Sequence, residues 1–284
     1  MNILECYRRG IDYIENHMEE DFSLKDVSDY AYLSLSYFQR LFAILSNINV
    51  SDYIRFRRLT LAGQELMRNP KAKIIDLAFK YGYQTPESFT RAFRSFHHCL
   101  PSQVKSQHCS LSYYPRLEIV VTIKGGTVMD YQISEMKDFK IVAKVDEVAA
   151  GKGNIECPKL WDEYWRKKYH EQVIPEIAVC FSMGNEQDTF RYGIGCFMEN
   201  AKGIPQGFET LTIPSQTYAK FKTQGAMPDA IQNLWKLILS EWLPNSNYEI
   251  VEAPDFEIYY AGDNQSASYK SEVWIPVRLK QTDK

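Results

Sequence analysis

The sequence predicts a multidomain chain: an all-α double helix-turn-helix domain followed by an α+β domain with an antiparallel sheet and two helices. Three observations predict it. First, Leu24–Ile44 and Ile74–Phe96 spell the same helix–turn–helix pattern, and aligning Phe38-Gln39-Arg40-Leu41-Phe42 with Phe89-Thr90-Arg91-Ala92-Phe93 superposes the apolar residues and the arginine. Second, helical periodicity gives way near Ser106–Pro115 to runs rich in Tyr, Val and Ile. Third, beyond Met129 a strand–helix–strand–strand unit occurs twice. At 284 residues the chain is long enough for two cores.

In chain order, residues 2–19 read as a first helix with Ile3, Tyr7, Ile11 and Ile14 on one face. Ser23 caps a second helix, with Asp26 three residues on as an acidic capping-box relative. Tyr32-Leu33 make the turn, and Ser34 caps a third helix that runs to about Leu45. There Phe38, Leu41 and Phe42 face inward, leaving Ser36, Tyr37, Gln39 and Arg40 outward. Asn47, tolerant of the left-handed region, ends it. Val50–Met67 reads as one long helix ending at Asn69-Pro70. The second module repeats the pattern: helix Ile74–Tyr81, Gly82 in the turn, Thr85 as cap, and helix Pro86–His97, whose proline sits where a missing N–H is harmless.

Composition narrows the function classes. The chain is 45% hydrophobic and 24% charged, with no apolar run long enough to span a bilayer and an N-terminus too charged for a signal peptide, so a cytoplasmic protein is expected. Six scattered cysteines show no CxxC pair and no histidine at metal-ligand spacing, which favours a reducing compartment and neither metal nor cofactor. His97-His98 point in different directions on a helix and make a poor metal site. Net charge is −3, but residues 1–110 hold 14 Lys/Arg against 12 Asp/Glu, and the remainder 19 against 24. A DNA-binding face needs clustered cations rather than a cationic protein. Arg40, Arg55, Arg57, Arg58, Arg91, Arg94 and Lys105 are the candidates for phosphate contact.

The QRLF of the third helix, the YIRFRRLTLA of the long helix, IIDLAFKYGY and the tail SFTRAFRSFHHCLPSQV make residues 1–108 resemble the DNA-binding domain of the AraC/XylS family of bacterial transcription regulators. The resemblance implies two recognition helices in successive major grooves of double-stranded DNA, with RNA polymerase as a further partner. It places Ser36, Gln39 and Arg40 at the first groove and Gln84, Glu87, Ser88, Thr90, Arg91 and Arg94 at the second. Two departures stand out: Asn47, where a glycine is usual, and Glu87, an acid near the groove. Glu87 either accepts from a cytosine amine or stabilises its helix N-terminus.

After a connecting segment, 109–126, with a strand at Leu117–Ile123 and a turn at Gly125-Gly126, the second half reads as two copies of one unit. The first has strands Tyr131–Ile133 and Phe139–Val148, helix Pro158–His170, and strands Ile177–Ser182 and Gly193–Met198. The second has strands Phe208–Ile213 and Thr217–Thr223, helix Pro228–Leu243, and strands Tyr248–Glu252, Phe256–Tyr260 and Ser271–Leu279. The order of elements, Phe256-Glu257-Ile258-Tyr259 and Glu272-Val273-Trp274-Ile275-Pro276-Val277 make residues 127–284 resemble the GyrI-like effector-binding domains. That resemblance implies a groove between the repeats for a small, lipophilic or cationic effector, with Glu272 facing it. A carboxylate among aromatic rings favours an organic cation. Trp161, Trp165, Tyr192, Tyr218, Tyr260 and Trp274 are the candidate walls, although aromatics at such spacing also serve as plain core. Two rivals remain: a ligand-free partner-docking scaffold, and a hydrolase using Glu272 with Tyr192 or Tyr218. No nucleophile elbow, metal site or phosphate loop supports the hydrolase, so no enzyme is expected. Oligomeric state is not legible.

Overall fold

A computed structural model of the chain describes residues 3–105, 109–119, 129–181 and 189–280. Its helices before the sheet are α1 (Ile3–Asn16), α2 (Leu24–Tyr30), α3 (Leu35–Ser46), α4 (Val50–Arg68), α5 (Ile74–Lys80), α6 (Pro86–His97) and α7 (Pro101–Lys105). Internal contacts gather the chain into two units. One holds Glu5–Leu33 and Ile48–Thr122; the other holds Met1–Leu4, Ser34–Asn47 and Ile123–Lys284. Against a division at residues 108 and 127, the grouping places the whole of α3 and the first residues of α1 with the sheet.

The caps form where local chemistry demands. Ser23 accepts from the Asp26 N–H while the Asp26 carboxylate accepts from the Ser23 N–H, a complete capping box. Ser34 and Thr85 accept from the Tyr37 and Ser88 N–H groups. Asn47 and His98 end α3 and α6 in the left-handed region, at φ 58° and 59°. The two inter-helix turns also match, the Leu33 N–H donating to Ser28 O at 3.0 Å and the Tyr83 N–H to Ala78 O at 2.8 Å. Each turn needs one residue at positive φ: Tyr32 (58°) in the first and Gly82 (77°) in the second. At Gly82 a Cβ would also lie 2.2 Å from Arg58 Nη1.

The helical unit buries Leu59, Ala62, Leu66, Leu77, Phe89 and Phe93 in one core. A charged cluster is buried beside it. Arg57 donates from Nε and Nη2 to the two Glu15 oxygens, each at 2.8 Å, and from Nη1 to the Tyr114 carbonyl, while Tyr53 Oη donates to Glu15 at 2.6 Å. Burial opposes the Glu15 charge, but the Arg57 and Tyr53 hydrogen bonds outweigh it and hold its pKa below the ordinary carboxylate value. Arg57 is therefore no phosphate contact, contrary to expectation. Arg58 is likewise committed, to the carbonyls of Met18 and Glu20. Neither partner lies close in sequence, which is why charge counting missed both. Of the expected strand Leu117–Ile123, Leu117–Ile119 form none, and its remainder and the Gly125-Gly126 turn lie outside the described residues.

The second unit adds β1 (Tyr131–Met136), β2 (Phe139–Ala149), α8 (Gly153–Arg166), β3 (Ile177–Phe181), β4 (Thr189–Phe197), β5 (Glu209–Ile213), β6 (Gln216–Gln224), α9 (Asp229–Leu237), β7 (Tyr248–Ile250), β8 (Asp255–Tyr259) and β9 (Lys270–Leu279). The strands pair antiparallel in the order β1-β6-β9-β8-β3-β4-β2-β5, with β7 on β9. The expected duplication is visible in that order: β2-α8-β3-β4 and β6-α9-β8-β9 lie as mirror-ordered halves. They join where β3 pairs β8, Ala178 opposite Glu257. Gly195 is required at the β2–β4 crossing, because a Cβ there would meet the Val142 carbonyl oxygen at 1.9 Å. Helix α8 starts at Gly153, so Pro158 lies inside it rather than at its first position.

Both helices cover one face of the sheet. Tyr164, with Leu160 and Trp161 of α8, packs on Val142, Ala178, Cys180, Tyr192 and Ile194, and Trp235 of α9 reaches the same side. The reverse face carries Ile141, Ile177, Val179, Tyr218, Phe256, Ile258 and Trp274. Side-chain alternation therefore puts Asp255, Glu257 and Tyr259 on the helix face of β8.

Candidate nucleic-acid interface and carboxylate–aromatic cluster

The polar side of α6 is open. Gln84, Glu87, Ser88, Arg91 and Arg94 are exposed and Thr90 is half-buried, while Phe89 and Phe93 on the other side are fully buried. A shallow depression runs along Glu87, Thr90, Arg91 and Arg94 to Leu100. Neither Arg91 nor Arg94 forms an ion pair among the described residues. The helix N-terminus is fixed by Thr85, and Ser88 Oγ returns a bond to the Thr85 carbonyl at 2.8 Å. A rigid helix presenting two uncommitted guanidinium groups suits phosphates and guanine edges.

The matching side of α3 is not open. Ser36 and Gln39, expected outward, are 6% and 3% exposed. Arg40, the counterpart of Arg91, is half-buried and forms a two-pronged ion pair with Asp255, Nη2 reaching Oδ1 at 2.8 Å and Nη1 reaching Oδ2. Its guanidinium carbon lies 4.7 Å from the centre of the Trp235 ring. The outward expectation rested on a two-helix module; in this structure α3 packs on α9 within the sheet unit.

Beside that pair, where the two repeats join, lies a cluster of one carboxylate and several aromatic side chains. Glu257 Oε1 accepts from Trp235 Nε1 at 2.8 Å and Oε2 from Tyr259 Oη at 2.6 Å. Trp161 Nε1 donates to Tyr192 Oη at 2.9 Å, and its ring meets Tyr259 edge-on at 5.1 Å. Glu257 is half-buried: solvent touches it, yet the protein crowds it from the other sides. Burial raises its pKa above the ordinary value despite the two hydrogen bonds and the nearby Arg40 charge. The same crowding pushes the Cys157 thiol up to about 12 and the Tyr192 phenol well above its usual range. A half-buried carboxylate ringed by Trp and Tyr is suited to an organic cation.

The structure separates the predicted wall residues. Trp161 and Tyr192 belong to the Glu257 cluster. Glu272, Trp274 and Tyr218 lie on the reverse face of the sheet, because Ile258 pairs with Glu272 and Phe256 with Trp274. There Glu272 is enclosed, accepting from Trp274 Nε1 and Tyr260 Oη, each at 2.7 Å, with Lys220 Nζ 3.6 Å from the centre of the Trp274 ring. Tyr218 is fully buried and donates to the Pro254 carbonyl. Trp165 is exposed, its ring tilted at 42° to that of His170 with centroids 4.6 Å apart. Alternation along β9 fixes that Glu272 and Trp274 share a face but leaves open which face the helices cover. Sequence reasoning missed Asp255, Glu257, Tyr259 and Trp235 as members of this cluster; the spacing 255, 257, 259 was the available signal. No group of residues among those described could hold a metal ion, and no helix among them is long and apolar enough to cross a membrane.

Residues 132–277, just over half of the chain, match the family of integron-associated effector binding proteins. The chain belongs to that family. Residues 27–107 match a helix-turn-helix domain, of the AraC type. It is 39% identical over 90 residues to the transposon Tn10 TetD protein of Escherichia coli, covering 32% of the chain and 64% of TetD. It is 23% identical over 283 residues to the transcriptional regulator Rob of Salmonella typhimurium, covering 94% of the chain and 96% of Rob. The solved structure of SAV2435 bound to tetraphenylphosphonium overlaps 53% of the chain and 94% of its own length, with 21% identity and a TM-score of 0.47.

Proposed function

We propose that the protein is a transcription regulator that binds double-stranded DNA through residues 1–108 and answers a small organic cation through residues 127–284, joined by 109–126. The reading is carried by α6, a capped helix whose polar face exposes Gln84, Glu87, Ser88, Arg91 and Arg94 with both arginines outside any ion pair of the described residues. The AraC-type match over 27–107 supports it, as does the span of Rob over both halves. Cation sensing is supported by Glu257, whose charge is crowded by Trp235, Tyr259, Trp161 and Tyr192. RNA polymerase is the partner that the family resemblance implies, and the protein acts as a binder rather than an enzyme.

Genomic footprinting with the purified protein tests the DNA reading. Protected promoter segments with contacts about one helical turn apart are expected; protection without sequence preference would overturn it. Thermal-shift measurement with tetraphenylphosphonium tests the sensing reading. A ligand at 100 times its Kd stabilises the folded state by about 2.7 kcal/mol. No stabilisation by this or any other organic cation would leave the sheet unit as a partner-docking scaffold.

A further inference from the structure

One titratable pair in the sheet unit is used by neither reading. The Asp255 carboxylate, on the same strand face as Glu257 and two residues before it, is met by a cation from the protein itself. Arg40 offers it two parallel N–H groups and lays its guanidinium 4.7 Å from the centre of the Trp235 ring. Trp235 is also the donor to Glu257. A cation facing a carboxylate fork on one side and an indole on the other is the arrangement expected of a bound organic cation. Arg40 is in addition the α3 counterpart of Arg91, and Ser36 and Gln39 beside it are buried.

We propose that Arg40 is a built-in surrogate of the effector: its guanidinium occupies the place between Asp255 and Trp235, beside Glu257, so that α3 is held away from DNA until a planar amidinium or guanidinium ligand takes its place. The proposal rests on the cation-sensing reading and adds two things to it. The ligand class is set by geometry: Asp255 accepts in two-pronged fashion, which a guanidinium or amidinium supplies and a quaternary phosphonium, lacking N–H groups, does not. The regulation follows from exclusion. One guanidinium cannot hold both Asp255 and a guanine edge, so ligand at Asp255 and DNA at α3 favour the same released arrangement, and each must raise the affinity of the other by the same factor.

The test uses the full-length chain and benzamidine as probe, with tetraphenylphosphonium beside it. Removing the internal competitor in Arg40→Ala should tighten benzamidine binding about tenfold or more by calorimetry, since apparent affinity scales with the fraction of open sites. Tetraphenylphosphonium should gain less. Asp255→Asn, which leaves α3 unaltered, should raise affinity for a footprinted promoter about fivefold or more and abolish the benzamidine response of DNA binding. Circular dichroism of each variant checks folding, and the Arg40→Ala arm stands without the Asp255→Asn arm. Equal benzamidine affinity in wild type and Arg40→Ala overturns the surrogate while leaving cation sensing intact. Binding of neither cation to either protein overturns both.

Discussion

Replacing Arg57 by alanine should destabilise the helical unit by about 3–5 kcal/mol. In the folded chain this guanidinium makes two bonds to Glu15 and one to the Tyr114 carbonyl, all at 2.8 Å, and the two charged side chains are 9% and 7% exposed. The attraction itself is not the figure: unit charges 4 Å apart gain about 4 kcal/mol at an effective dielectric of 20, and desolvation offsets much of it. What alanine leaves is a buried carboxylate with only the Tyr53 hydroxyl as donor among these bonds, and a carbonyl without its guanidinium partner. Removing both charges together, in Glu15→Gln with Arg57→Met, should restore most of the loss, because a neutral amide can still accept from Tyr53.

Urea unfolding followed by far-ultraviolet circular dichroism at pH 7 and pH 4 measures this. The pH arm has a definite sign. Glu15 is held below its ordinary value of 4.5, so its contribution is complete above about pH 4.5 and disappears as pH falls through the folded value. The gap between wild type and Arg57→Ala should therefore narrow in acid. A loss under about 1 kcal/mol at pH 7, or a double variant no more stable than the single one, would refute the argument and reduce the cluster to an ordinary surface pair.

Glu257→Gln should act in the opposite direction from loss of the Glu15 pair. Its folded pKa is raised, so protonation stabilises the fold below about pH 4.5 and that gain is lost as pH rises through the folded value; the amide should melt higher than wild type at pH 7.5, with the difference vanishing near pH 4.5, while cation affinity falls on the order of tenfold in calorimetry. Arg91→Ala should cost about 1–3 kcal/mol in promoter affinity, roughly 5- to 150-fold, and relax preference at a single base pair when binding is measured against a site library. Gly195→Ala should lower unfolding stability by about 1–3 kcal/mol or more, since the new methyl cannot coexist with the Val142 carbonyl without parting β2 and β4.

What the sequence made legible was local. Ser23, Ser34, Asn47 and Thr85 cap helices through bonds to residues within four positions, so identity and spacing suffice to find them. Strands with clear alternation, Phe139–Ala149 and Lys270–Leu279, are placed to within a residue. What stayed hidden was non-local. Arg57 and Arg58 look like free surface cations until Glu15, Tyr114 and the Met18 carbonyl are brought beside them. Glu272 and Glu257 both interrupt apolar strands, and only the pairing of β8 with β3 across the two repeats decides that Glu257 faces the helices.

The helix-turn-helix repeat carries the same lesson into function. α3 and α6 share their N-caps, their left-handed ends and an arginine at the same position, so capping and propensity give two equivalent helices. Their polar faces are nonetheless unequal: Arg91 is exposed, whereas Arg40 meets a carboxylate 215 residues further along the chain. A repeat cannot encode that inequality, because it depends on a residue outside the repeat. The inequality matters physically. A ligand shifts an equilibrium only through differential binding to the two states, and a ligand at Asp255 has no leverage on DNA affinity if both reading helices are equally free. On the proposed reading, holding α3 through the residue that would recognise the ligand supplies that leverage, and would leave α6 available to keep the protein on DNA while α3 responds.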